Sequence, residues 1–386
     1  MTGDAEAQYR MGLACETGQG VARSLSQASA WYYKAGRQNH PEALYRLARL
    51  KEADPATPRA KTEAAPFYAR AAEMGVPGAQ YRLGTMYLNG DGLPQDLARA
   101  AALFEQAAQQ GDQMAAQRLG LLYFSGRGVR QDYRQAEKWL RLAFERGQPS
   151  AAFHLGLIQE KALGRDMNLK EAELWYRKGA EGGDPDCQYN LALFLLRGAG
   201  GRRDAPQAAR WLAKAAEAGD VAAMVRLGHV AEEGTGRAPD PAEALDWYTR
   251  AAATGDPSGL FHLARAQEKG LGMAASPAQA AATYARAAEL GHAEAANRLG
   301  ICLALGKGLA RNPVQAYKWF LLAEEGGSGV AAHNRESLSR TMPPARISEA
   351  RRLAREWRPA PRPETRESAA PDSADSTLDG ESARLP

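Results

Sequence analysis

The chain has 386 residues, 45% of them hydrophobic, and its 49 Lys and Arg face 45 Asp and Glu, a formal net charge of +4. So slight a surplus, with no runs of Lys or Arg, gives no compositional ground for a nucleic-acid binder, and no apolar run approaches the roughly 18 residues that a membrane-spanning helix needs. Three widely spaced cysteines, Cys15, Cys187 and Cys302, fit a reducing compartment or no redox role, and Cys187 falls in a slot otherwise filled mostly by Ala.

Helical periodicity begins at once. The first nine residues, Met1 to Tyr9, lack a basic and apolar leader, so a cytoplasmic location is expected, with export as the outcome if the start lies upstream. A small residue then returns every 36 positions, as Gly12, Ala48, Gly84, Gly120, Gly156, Ala192, Gly228, Ala264 and Gly300. A fixed period of this length marks a stacked repeat. Within each unit, apolar and small residues recur three and four apart, a Gly-rich break follows, and a second stretch has the same period, which reads as helix, turn, helix. Unit two departs from this, with Lys51 to Pro58 where the others have a glycine turn. The second helix carries Ala in every unit (Ala28, Ala64, Ala100, Ala136, Ala172, Ala208, Ala244, Ala280, Ala316). Three residues on stands a large slot: Trp31, Phe67, Leu103, Trp139, Trp175, Trp211, Trp247, Thr283 and Trp319. Small against large predicts close helix packing with the aromatic filling the gap between repeats. Asn39, then Gly75, Gly111, Gly147, Gly183, Gly219, Gly255, Gly291 and Gly327, close the units with residues suited to the positive φ that ends a helix. Past residue 330, Ile347, Ala350, Leu353, Ala354 and Trp357 are helically spaced behind Pro343 and Pro344. The predicted organisation is nine repeats over 1–330, a capping helical hairpin over 331–357, and a disordered tail over 358–386, rich in Pro, Ser, Ala and charge.

The Leu-Gly pair, the GxG turn followed by Val or Leu, the Ala-x-x-Trp-Tyr segment and the closing Gly, recurring in register, resemble the Sel1-like repeat family of bacteria, relatives of the tetratricopeptide repeat. The resemblance implies an all-α fold, a right-handed superhelical solenoid of helix-turn-helix repeats. It also implies a non-enzymatic scaffold or adaptor that takes a protein or peptide partner in its concave groove, in bacterial signalling or envelope-related regulation. Exported envelope or host-interaction factors, and cell-wall-directed hydrolases, are the alternatives that relatives offer. The cysteine pairs that mark some secreted relatives are missing here.

The glycine pairs, such as Gly126-Arg127-Gly128, lie between two helices and read as turns, not as dinucleotide loops, which follow a strand. The six histidines are scattered without zinc spacing, and His154 and His262, which occupy a slot usually held by Arg, are expected at the surface. No Ser or Cys nucleophile has a recognisable base partner, so no catalytic residue, cofactor or metal is expected, and the expected state is a monomer without nucleic acid. By the related tetratricopeptide geometry, helix positions around the Leu-Gly glycine face the groove. Two residues before it lie Arg10, Arg46, Arg82, Arg118, Arg226 and Arg298; four after it lie Glu16, Glu52, Glu160, Glu232 and Glu268, interrupted by Leu88, Phe124, Leu196 and Ala304. The two rows are about 120° apart on a helix and would flank the groove, either as solvated edges or as a clamp. Where the Glu row breaks, Tyr81, Leu88, Leu121, Phe124, Phe153 and Leu157 would form an apolar window. With Arg82, Arg118 and Glu160 these are the candidate partner-binding residues.

Overall fold

The computed structural model describes residues 3–54, 57 and 59–361. Twenty α-helices and no strand occur among the described residues, and the chain is an all-α repeat solenoid. It divides into two units, residues 1–182 and 183–386. The first holds five helical hairpins: α1 (Ala5–Thr17) with α2 (Leu25–Arg37), α3 (Pro41–Glu52) with α4 (Ala60–Glu73), α5 (Pro77–Asn89) with α6 (Leu97–Gln109), α7 (Gln113–Ser125) with α8 (Tyr133–Glu145), and α9 (Ala151–Glu160) with α10 (Leu169–Glu181). The second holds four more: α11 (Pro185–Arg197) with α12 (Ala205–Glu217), α13 (Val221–Glu233) with α14 (Pro241–Ala253), α15 (Pro257–Lys269) with α16 (Pro277–Glu289), and α17 (Ala293–Leu305) with α18 (Pro313–Glu325). Two further helices, α19 (Ala331–Ser339) and α20 (Pro344–Glu356), follow.

Short local signals set the helix ends. Asp132 accepts from the Gln135 amide at 3.1 Å and Asp204 from Gln207 at 2.9 Å, so a carboxylate satisfies an orphan N–H and meets the positive end of the helix dipole. Asn39 and the eight closing glycines all have positive φ, from 63° at Asn39 to 106° at Gly111. In unit two of the repeat the turn expected between Lys51 and Pro58 lies partly outside the described residues.

The core explains the 36-residue period. The residue four past the invariant Ala, one beyond the Trp slot, is at most 1% exposed in every repeat: Tyr32, Tyr68, Phe104, Leu140, Tyr176, Leu212, Tyr248, Tyr284 and Phe320. Burial of a Leu- or Phe-sized side chain stabilises by about 1.5–3 kcal/mol. These rings lie against the recurring small residue of the partner helix. A Cβ on Gly156 would fall 2.4 Å from Tyr176 Cε1, and one on Gly228 would fall 2.3 Å from Tyr248 Cε1. The Trp slot differs from the sequence expectation. Trp139, Trp175 and Trp319 are buried, but Trp31, Trp211 and Trp247 are only partly so. Cations cover their rings, Lys34 over Trp31 at 4.2 Å, Lys214 over Trp211 at 4.3 Å and Arg250 over Trp247 at 4.1 Å. The plug between helices is therefore the following Tyr, Phe or Leu, and the indole forms an amphipathic lid at its edge.

Behind the last repeat, Leu338, Met342 and Ala350 of α19, α20 and their link join Tyr317 and Phe320 in one apolar cluster. Residues 358–361, assigned to the tail by composition, continue from α20 with Trp357 edge-on to Trp319 at 5.8 Å and the Ala360 N–H donating to Glu289 O at 2.8 Å. The disorder expected beyond them concerns residues 362–386, which lie outside the described residues.

Candidate functional site

The first helix of each hairpin carries the rows read from the sequence, and the structure ties them to the core. In five repeats the plug is Tyr, and its buried hydroxyl donates to the Glu sixteen residues earlier: Tyr32 to Glu16, Tyr68 to Glu52, Tyr176 to Glu160, Tyr248 to Glu232 and Tyr284 to Glu268, at 2.5–2.9 Å. In the other four the plug is Phe or Leu, and the Glu is gone: Phe104 with Leu88, Leu140 with Phe124, Leu212 with Leu196, Phe320 with Ala304. A hydroxyl buried without an acceptor is costly, and so is a half-buried carboxylate without a donor, so the two change together. The break in the Glu row thus answers first to the core of its own repeat.

The Arg row closes the same ladder. Arg46 reaches back to Glu16 of the previous repeat at 3.1 Å, Arg82 to Glu52 at 3.9 Å and Arg298 to Glu268 at 3.6 Å. The two rows therefore meet across repeats instead of standing apart on either side of a groove. Burial opposes the Glu268 charge, yet hydrogen bonds from Lys307 and Tyr284 and the nearby Arg298 hold its carboxyl below the usual range. Burial and the neighbouring carboxylate push the Tyr32, Tyr68, Tyr248 and Tyr284 hydroxyls well above theirs, so they remain donors.

Of the two histidines expected at the surface, His262 is enclosed and His154 is half-buried. His262 is 4% exposed, and burial holds its ring well below the ordinary histidine range. Burial likewise lowers His154 to about 4, and lowers His229, with help from Arg265, Arg226 and Lys269, to about 3. Aromatic neighbours replace the missing guanidinium at these points. His154 meets Phe124 edge-on at 5.1 Å, and His262 stacks on Tyr248 at 5.5 Å.

Of the candidate partner-binding residues, Tyr81, Leu88, Leu121, Phe124, Leu157 and Glu160 are half-buried and Arg82 and Arg118 are exposed, all on α5, α7 and α9. Phe153 belongs to the core instead, 2% exposed and tilted against Tyr176 at 6.3 Å. Tyr81 packs on Phe104 at 5.8 Å, and Phe124 also touches Tyr133 at 5.6 Å, so each offers part of a ring to solvent. Glu160 is held by Tyr176 and by Lys161 at 3.3 Å. Arg118 would meet its carboxylate where Leu88 stands, and it makes no ion pair among the described residues. Sequence reading missed the cations Arg265, Lys269 and Lys307, which gather on Glu232 and Glu268. Their signal was present in the Glu row, but they come from different registers.

The three cysteines are buried thiols, and burial raises Cys302 to about 11. Among the described residues no group of three or more His, Cys, Asp or Glu is placed to hold a metal, and no helix is long and apolar enough to cross a membrane.

Comparison with known proteins agrees with this architecture. The Sel1 repeat model matches nine consecutive segments, 5–40, 41–76, 77–112, 113–148, 149–184, 185–220, 221–256, 257–292 and 293–328. A Sel1 repeat protein from Oxalobacter formigenes is similar at 31% identity over 80% of this chain and 90% of that one, with a TM-score of 0.68. The protective antigen c5321 of uropathogenic Escherichia coli, which displays an SLR fold, is similar at 28% identity over 92% of this chain and 84% of that one, with a TM-score of 0.54. No curated protein matches the sequence. Proteins of such repeats generally act as protein-interaction scaffolds and are generally non-catalytic. With matched repeats running from residue 5 to residue 328, the chain belongs to the Sel1 repeat family.

Proposed function

We propose that the chain is a non-enzymatic scaffold that binds a protein or peptide partner on the face formed by α5, α7 and α9, as a cytoplasmic monomer serving bacterial signalling or envelope-related regulation. One observation carries the reading: Arg118 is exposed without an ion pair among the described residues, beside the half-buried apolar side chains Leu88, Leu121 and Phe124. At Arg46, Arg82 and Arg298 the equivalent guanidinium faces a Glu of the preceding repeat. A partner segment bearing a carboxylate next to an apolar side chain would satisfy both features. Arg118→Glu changes one exposed side chain and leaves Leu88 and the buried plug untouched, so the melting temperature should stay within a few degrees of the parent. Affinity capture from host lysate should lose the partner that the parent recovers; recovery of that partner by both would reject this face. The similarity to a protective antigen favours a second reading, an exported host-interaction factor. Fractionation of host cells distinguishes the two, since an exported protein leaves the cytoplasmic fraction.

A further inference from the structure

We infer that α20 docks this protein on an anionic phospholipid surface, through the guanidinium groups on the side of the helix turned away from the core. The sequence divides the helix lengthwise. Ile347, Ala350, Leu353 and Ala354 recur at helical spacing, and the first three join the apolar cluster of Tyr317, Phe320, Leu338 and Met342. At 100° per residue, Arg351, Arg352 and Arg355 lie within about 100° of one another on the other side. All three are exposed, as are Arg346 before them and Arg358 after them. Arg355 Nε donates to Arg351 O at 3.4 Å, and Arg358 Nη1 donates to Arg355 O at 2.8 Å. These bonds hold two cations at the negative end of the helix dipole and leave further N–H donors of each guanidinium for a ligand.

The carboxylates nearby do not cancel this charge. Glu356 pairs with Arg352 at 2.9 Å, and Glu349 lies on the same flank of the helix as Glu356. In the neighbouring helices Arg335 meets Glu324 at 2.7 Å and Arg340 meets Glu336 at 3.2 Å, so those pairs are neutral in themselves. From residue 313 to residue 361, the span of α18, α19 and α20, eight Lys and Arg stand against five Glu and no Asp. Arg346, Arg351, Arg355 and Arg358 make no ion pair among the described residues. A bilayer offers phosphates that move laterally, so each guanidinium finds its own partner, whereas an acidic peptide must hold its carboxylates at the spacing of the helix. The apolar side of α20 is already packed against α18, so the attachment is electrostatic and peripheral, without insertion of the helix among acyl chains. This surface belongs to the second unit and stands independently of the partner face on α5, α7 and α9.

The test is sedimentation of the full chain with vesicles of phosphatidylcholine alone, or of phosphatidylcholine with roughly a third phosphatidylglycerol. The chain should bind the anionic vesicles and not the neutral ones, and binding should fall steeply as salt goes from about 50 to 300 mM. Each guanidinium near an anionic surface raises partitioning by about fivefold, so Arg351→Gln, Arg352→Gln and Arg355→Gln together should lower it at least about tenfold. Arg351→Lys, Arg352→Lys and Arg355→Lys together keep the charge and should keep most of the binding. Arg127→Gln, Arg130→Gln and Arg134→Gln, which remove the same charge from exposed side chains in the first unit, should leave it unchanged. Absence of binding to the anionic vesicles, equal binding to the neutral ones, a loss as large in the Lys variant as in the Gln variant, or equal losses from the two Gln variants would overturn the inference. Binding of poly-glutamate by a chain that leaves the vesicles unbound would assign the cations to an acidic polypeptide and overturn it as well.

Discussion

Gly156 and the equivalent glycines lie tight against their partner helix, because a large buried side chain of the second helix lies where their Cβ would be. In an ordinary exposed helix position, Gly→Ala stabilises by about 0.4–1 kcal/mol through the unfolded chain. Here the sign reverses. A methyl 2.4 Å from the Tyr176 ring forces the ring or the helix to move, and such overpacking costs about 1–3 kcal/mol. Gly156→Ala should therefore lower the midpoint of urea unfolding, while Ala192 and Ala264 show that the slot accepts a methyl elsewhere in the array. A midpoint at or above the parent would mean that the hairpin adjusts freely and that the small residue has another cause.

The hairpin is the scale at which the sequence was most legible, and also where it misled. Period, helix boundaries and closing glycines are local signals that each of the nine copies repeats, so they read directly as α1 to α18. The deepest position was misjudged by one residue in part of the array because Trp31, Trp211 and Trp247 are the larger and more conspicuous side chains, whereas depth depends on which way the helix is turned. The apolar window has a second cause that the sequence reading did not see. Leu88 and Phe124 each stand where their own repeat lacks a tyrosine hydroxyl, a pairing sixteen residues apart on another helix, whatever else they contact. Phe153 looked equivalent to Tyr81 and is enclosed, because its neighbours differ, not its register. The coupling is testable as a double-mutant cycle. Phe104→Tyr alone buries a hydroxyl against Leu88 and should cost about 1–3 kcal/mol. Leu88→Glu alone leaves a half-buried carboxylate without its donor, and the two changes together should recover most of the loss. Additive losses in urea unfolding would show that hydroxyl and carboxylate do not act as a pair.

At the scale of the whole molecule, the enclosed histidines make stability depend on acid in a window of their own. His154, His229 and His262 are held neutral in the fold, with pKa about 4, about 3 and well below 6.5, while in the unfolded chain each titrates near 6.5. The unfolded state therefore binds more protons below pH 6.5, and the stability they support, complete above that pH, is lost as pH falls toward the folded values. Between pH 7.5 and 5 each fully enclosed ring forfeits about 2 kcal/mol by this linkage. The carboxylates of the ladder carry the same sign but lower position: Glu268, held below its ordinary 4.5, loses its contribution only as pH drops through and below that value. The interval from pH 6.5 to 5 thus isolates the imidazoles. The chain's urea-unfolding free energy should decline across it, and His262→Phe, which keeps an aromatic ring against Tyr248, should flatten the decline by close to one proton. A parent profile level from pH 7.5 to 5 would mean that water reaches the rings and that they titrate in the folded state as they do in the open chain.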